Sequence, residues 1–352
     1  MIERQTLHEM VAGLSPQRRA LLESWLDAGD EPGPDKPRDD VRLPLVRINS
    51  GGAQVEDRPP LFCVHSEGGG AGCYAALSAW LGGDQPVYGL QARGLQDDGE
   101  PQTLIEEMAA HYVASIRRAQ PRGPYFLAGW CLGGIIGFEM AIQLESSGET
   151  VALLALMDAP APPVELSEYD FAAGVAAILG MTRMLAGSGT KVSLSFLRRL
   201  STEDQLAVLV ERLREYPPET LRKVNLLLPA MSTDLLRNIV KVFVANSEAI
   251  RQYRPRTYGG RVTFFRATHP YPIATADFVE GWRPYVGESI ELCDVDGHHL
   301  NFLQEPHVRD VARKLRDRID RAQRGGVGTS TRIDAPHRGL STVRTRPAAD
   351  GG

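Results

Sequence analysis

The chain has 352 residues, 43% hydrophobic and 24% charged, the balance of a soluble globular protein with room for one large domain or two small ones. The net charge of -5 and the lack of a long basic run with interleaved aromatics argue against a nucleic-acid partner. No apolar stretch is long enough to span a membrane, and Met1-Ile2-Glu3-Arg4-Gln5 lacks the charged-then-apolar layout of a signal peptide.

Residues 1–28 read as a helical segment. Ser15 can cap it, Pro16 suits its first turn, and Leu21, Leu22, Trp25 and Leu26 recur at helical spacing. Residues 29–43 read as a linker, because Glu31-Pro32-Gly33-Pro34-Asp35-Lys36-Pro37 is too polar and broken to bury a core. A domain is expected over 44–323. Its first apolar run, Pro60 to His65, leads into Ser66-Glu67-Gly68-Gly69-Gly70 and a helix from Tyr74 to Leu81. Pro86 to Leu90 is a second run, and a helix is predicted over about Thr103 to Ala119. The run Tyr125-Phe126-Leu127-Ala128 then precedes Gly129-Trp130-Cys131-Leu132-Gly133-Gly134 and a helix carrying Ile135, Phe138 and Leu144. Val151 to Met157 is a third buried run, closed by Asp158. Continuous apolar runs alternating with helices predict an α/β fold, with a mostly parallel sheet and helices on both faces.

Residues 163–250 break the alternation. Helices are expected at Leu194–Leu200, Gln205–Tyr216 and Leu235–Tyr253, as a helical lid inserted between strands. The strand pattern resumes at Gly260–Ala267 and Ser289–Val295, and a last helix is expected from Val308 to Gln323. Residues 324–352 have no apolar period and read as a disordered tail.

The four cysteines, Cys63, Cys73, Cys131 and Cys293, are dispersed with no CxxC pair, so a reduced, cytoplasmic chain without a metal site is expected. Cys131 differs from the others in its setting. A strand followed by Gly-x-Cys-x-Gly-Gly is the pattern of a nucleophile elbow, a strand-to-helix turn that lifts one side chain above the sheet. Asp158 ends the next strand, and His298 and His299 follow the last one. Nucleophile, acid, histidine is the chain order of an α/β-hydrolase triad. The histidine takes the thiol proton and the carboxylate orients the histidine. The N–H of Leu132 and the N–H of Glu67, on the loop after Val64-His65, are the expected oxyanion donors. Taken singly, each residue has a plainer role: a cysteine as a small buried hydrophobe, an aspartate as a strand-end turn residue, His65 as a satisfied loop histidine. His298 and His299 compete for one place, since adjacent side chains point in different directions. Cys63 and Cys293 read as packing residues, and Cys73 is ambiguous.

From about Pro60 to Arg318 the chain resembles the thioesterase domain of nonribosomal peptide synthetases, within the α/β-hydrolase superfamily. The resemblance rests on Phe62-Cys63-Val64-His65, Tyr88 to Leu95, Gly129 to Gly134, Tyr253-Arg254-Pro255 and Gly297-His298-His299-Leu300, in that order. The family's closing Gly-x-His pattern implies that His299 is the base and His298 the variable position. The resemblance further implies an aminoacyl or peptidyl substrate, held as a thioester on the phosphopantetheine arm of a carrier protein. No bound cofactor or metal is implied, and neither membrane nor nucleic acid is a partner. Residues 14–22 are similar to short helical segments around synthetase modules, where a docking role and a solvated helix both stand open.

Two departures from the family pattern stand out. Ser66 and Glu67 replace the usual proline and small residue after the loop histidine, and a cysteine replaces the usual serine. Transfer of a thioester to serine runs downhill, whereas transfer to Cys131 is nearly balanced and keeps the acyl group energised. That suits release to an amine, closure of a strained ring, or handover to a second carrier thiol, besides hydrolysis. Cysteine-bearing relatives are ring-forming release domains and free-standing enzymes that shuttle aminoacyl groups between carriers. A start at Met1, with no recognisable carrier domain, favours the free-standing form, although a chain cut from a synthetase would read the same. The competing expectations are a general α/β-hydrolase on small esters and a silent binding protein that kept the fold.

Overall fold

The computed structural model describes residues 44–49, 58–97, 99–164, 170–217, 220–221, 232–269, 278–286 and 289–325. The expected N-terminal helix (1–28), the linker (29–43) and the tail from residue 326 onward lie outside the described residues, as do parts of the expected lid.

The sheet has seven strands: β1 (Leu45–Arg47), β2 (Leu61–Val64), β3 (Val87–Leu90), β4 (Tyr125–Trp130), β5 (Val151–Met157), β6 (Val262–Ala267) and β7 (Ile290–Val295). Their order across the sheet is β1-β3-β2-β4-β5-β6-β7. Every neighbouring pair is parallel except β1 and β3, which run antiparallel through Leu45 opposite Leu90. β4 is therefore flanked on both sides, and its register sets Gly129 against Val64 on one neighbour and Leu156 on the other.

Strand periodicity divides the core. Phe62, Val64, Tyr125 and Leu127 face α2 (Ile105–Ala119) and α3 (Leu132–Ser146). Leu61, Cys63, Phe126 and Ala128 face the opposite way, toward α1 (Ala75–Leu81) and α9 (Val308–Gly325). In α9 the buried Val308, Val311, Ala312, Leu315 and Ile319 follow the helical period, and the charged residues between them face outward. Covering both faces explains why strands β2 to β5 read as unbroken apolar runs. The helix extends two residues past the expected end, so Arg324 and Gly325 belong to it and not to a tail.

The segment after β5 forms α4 (Phe171–Ala186), α5 (Leu194–Leu197), α6 (Thr202–Leu213) and α7 (Thr233–Gln252). These helices bury a third cluster, with Val175, Leu179, Leu209, Leu213 and Val240 at its centre, joined by Leu95. A helical insertion between β5 and β6 was expected, but α4 was not. A further helix, α8 (Phe278–Val286), was also not expected; Pro284 lies inside it. Ala71–Tyr74 forms a 3-10 turn ahead of α1.

Candidate active site

The elbow is built by close approach. A Cβ on Gly129 would lie 2.0 Å from the carbonyl oxygen of Gly133, and one on Gly133 would lie 2.3 Å from that of Val64. Only glycine lets β4 and α3 meet this tightly. Cys131 takes the strained turn itself, at φ 57 and ψ -124, a conformation side-chain-bearing residues rarely adopt. Backbone bonds hold it there: its N–H donates to Met157 O (3.0 Å) and its carbonyl accepts from Gly134 N (3.0 Å). Tyr74 adds a tie between segments. Its hydroxyl donates to Val64 O at 2.6 Å and accepts from Trp130 N at 2.7 Å, joining the end of β2 to the elbow.

Among the described residues, Asp158 is the other non-glycine residue with positive φ, at 46. Its N–H donates to Phe265 O (2.7 Å), which seats it at the end of β6 as well as β5. Oδ1 accepts from Ala267 N at 3.0 Å, leaving Oδ2 for Nδ1 of His299 at 2.7 Å. An ionised carboxylate there fixes the proton on Nδ1 and leaves Nε2 as an acceptor. Nε2 lies 3.1 Å from Sγ of Cys131. The imidazole is also held flat: Trp130 packs against it with centroids 5.3 Å apart, and the Phe278 ring meets it edge-on at 6.3 Å. The structure thus brings Cys131, Asp158 and His299 together. His298 turns away, its N–H bonded to Asn301 Oδ1 and its Nδ1 accepting from Leu300 N.

The loop after β2 closes the other side. His65 is fully buried, with Nδ1 donating to Ser66 O (2.7 Å) and Nε2 accepting from the Tyr112 hydroxyl (2.6 Å). Burial lowers its pKa from 6.5 to about 4, so the ring stays neutral and serves as a strut for the loop. Glu67 stands at the tip. Its side chain reaches Cys131, with Oε1 accepting from Sγ at 3.0 Å. Asn246 of α7 donates Nδ2–H to the Glu67 carbonyl at 2.8 Å, and Val242 of the same helix packs on Gly69.

These neighbours set the thiol's acidity. Burial first, then the charge of Glu67 and its hydrogen bond, push Cys131 well above the usual thiol range; the Leu132 N–H works in the opposite direction. That Leu132 contact puts the helix N-terminal donor at the sulfur, where the sequence expects an oxyanion donor. The other three cysteines are unpaired: Cys63 and Cys293 are buried and Cys73 half-buried. Among the described residues no cluster of histidine, cysteine or carboxylate has metal-binding geometry, and no helix is long and apolar enough to cross a membrane.

In the sequence the Glu67 carboxylate is expected to face the acyl group or the carrier arm; its contact with Cys131 Sγ was not expected, and Tyr74 and Asn246 had no expected role. The Ser66-Glu67 departure from the family pattern was the only signal for the first; the other two carried none.

The family model described as a thioesterase domain matches residues 59–319. The chain belongs to the thioesterase domain family. This thioesterase domain is 33% identical over 283 residues to a dimodular nonribosomal peptide synthase of Bacillus subtilis (strain 168), covering 80% of the chain and 11% of that protein. It is 37% identical over 277 residues to malpinin synthetase of Mortierella alpina, covering 78% of the chain and 3% of the relative. The chain thus spans about a tenth or less of the length of these two relatives. Among solved structures it is similar to holo-AB3403, a four-domain nonribosomal peptide synthetase bound to AMP and glycine, at TM-score 0.65 and 25% identity, over 78% of this chain and 20% of that one. The Vlm2 thioesterase domain with a bound dodecadepsipeptide shares the fold at TM-score 0.57 and 22% identity, over 78% and 96% of the two chains.

Proposed function

We propose that this thioesterase domain accepts an aminoacyl or peptidyl group from the phosphopantetheine thioester of a carrier protein and holds it on Cys131. The observation that carries this reading is the unbroken path Asp158 Oδ2, His299 Nδ1, His299 Nε2, Cys131 Sγ, at 2.7 and 3.1 Å, set on an elbow at the end of the central strand. In this mechanism His299 takes the Cys131 proton as sulfur attacks the thioester carbonyl. Asp158 stabilises the imidazolium and keeps Nδ1 protonated. The N–H groups of Leu132 and Glu67 receive the oxyanion. The tetrahedral adduct collapses, and the pantetheine thiol leaves with the proton from His299. Phosphopantetheine enters as part of the substrate, and the chain's own groups do the proton transfers. The segment 163–250 serves as a lid over the acyl group in this reading.

The thiol favours an acceptor other than water. An acyl group on sulfur keeps its free energy for an amine, an internal nucleophile or a second carrier thiol, so transfer or cyclisation uses what the cysteine preserves. The similarity to a dimodular nonribosomal peptide synthase and to malpinin synthetase supports nonribosomal peptide assembly as the setting.

Incubation with acyl-loaded carrier, followed by intact mass, tests the reading. Wild type gains the acyl mass and Cys131→Ala does not. An equal adduct in both proteins overturns it. Turnover of simple esters with no preference for the carrier-bound form instead supports a general hydrolase.

A further inference from the structure

The proposed chemistry leaves the Glu67 side chain without a task, yet it touches the nucleophile. Its carboxylate accepts the S–H of Cys131 at 3.0 Å. That is the wrong destination for the proton, because His299 Nε2 waits at 3.1 Å on the same sulfur. Among the described residues, the thiol is the side chain's hydrogen-bond donor, and no cation pairs with the carboxylate.

The placement is enforced. The Glu67 carbonyl is bonded to Asn246, Gly69 N donates to Ser66 O at 2.9 Å, and His65 holds Ser66 from below. An unpaired carboxylate on a pinned loop, in contact with a nucleophile that must become an anion, opposes the first step of catalysis. Burial and the Glu67 charge act together to keep the resting thiol neutral.

A cation on the substrate resolves the conflict. In an aminoacyl thioester the α-nitrogen lies three bonds from sulfur, about 3 to 4 Å away by standard bond lengths. Once the acyl group is on Cys131, that places the ammonium within reach of Glu67 Oε1, which lies 3.0 Å from the same sulfur. Resting on the thioesterase reading above, we infer that Glu67 binds the free ammonium group of an aminoacyl donor, and that this pairing releases the Cys131 proton to His299. The ammonium keeps its protons and Glu67 stays ionised. The thiol proton passes to His299 and leaves with pantetheine. Acyl groups without a free amine, whether N-acylated or plain fatty acyl, leave the carboxylate unpaired and are selected against.

Alanyl-, propionyl- and N-acetylalanyl-pantetheine test the assignment, with the rate of acyl-enzyme formation read by intact mass. Wild type should favour the alanyl thioester by about 10- to 100-fold, the range of a charged hydrogen bond. In Glu67→Gln the preference should collapse, with the alanyl probe slowing and the propionyl probe speeding up. Glu67→Asp should restore part of it. Iodoacetamide should also alkylate Cys131 faster in Glu67→Gln than in wild type. A preference that survives in Glu67→Gln, or an equal slowing on all three probes, overturns the assignment. Equal rates from all three on wild type overturn it while leaving the acyl-enzyme intact. No adduct from any probe overturns the thioesterase reading itself.

Discussion

Asp158 accepts two hydrogen bonds, one from a strand end and one from the imidazole, and both tie its carboxylate to a single orientation. Asn at this position keeps the shape but presents an N–H to one of those donors, which drives His299 to the tautomer whose Nε2 already holds a proton. In the proposed mechanism Asp158→Asn therefore lowers kcat by about 10⁴-fold, measured as acyl-enzyme formation by rapid quench, with little change in thermal stability. Retention of more than a tenth of wild-type rate contradicts the assigned role. The meeting of Cys131, Asp158 and His299 was legible in the chain because each follows a strand, and strand ends in a parallel sheet gather on one edge. The Glu67 contact spans 64 residues and the Tyr74 contact 56. Neither has a local period to betray it, and each exists only once β2 and β4 are paired.

At the level of elements, caps and periods decide what can be read. α4 begins at Asp170, whose Oδ1 accepts from Ala173 N at 2.8 Å while its Oδ2 takes Arg198. Asp170→Ala should cost about 1 kcal/mol, and up to about 2, from lost capping, seen as a lower urea midpoint with an unchanged slope. No loss in the midpoint would remove the cap from the account of this helix. α6 and α7 were legible because each is amphipathic and capped by a serine, Ser201 and Ser232. α4 was not, because Phe-Ala-Ala-Gly-Val-Ala-Ala-Ile-Leu-Gly is small and apolar on nearly every side, and packing against α6 and α7 replaces the polar face that a surface helix shows. α8 was hidden by Pro284, which reads as a break. β1 has three residues and depends on its antiparallel pairing with β3.

For the whole molecule, the buried titratable groups set a window of stability. His65 is lowered from 6.5 to about 4, so the unfolded chain takes up a proton on this residue before the folded one does. Its contribution is present above pH 6.5 and is lost as pH falls toward 4, amounting to about 3 kcal/mol. Three thiols act at the other end. Cys73 is raised to about 12, and Cys63 and Cys131 well above the usual thiol range, chiefly by burial. The unfolded thiols ionise near pH 8.5 to 9 while the folded ones keep their protons, so stability declines as pH rises beyond that point. Denaturant midpoints from pH 4 to 10 should therefore peak between about pH 7 and 8.5 and fall on both sides. A midpoint flat from pH 4 to 7 contradicts the neutral, buried state of His65. The alternation of runs and helices foretold the sheet and its covered faces; the order of strands across it was not legible, since β3 lies between β1 and β2 only through crossovers that leave no mark on local sequence.

The bond from Asn246 to the Glu67 carbonyl ties the helical insertion to the loop that touches Cys131. Asn246 lies on α7, and the loop it grips carries the side chain that touches Cys131. Any displacement of α7 shifts the floor of the site without touching the sulfur. If displacement of α7 alters binding beside Cys131, binding there alters the equilibrium of α7 by the same factor, by the reciprocity of linked equilibria.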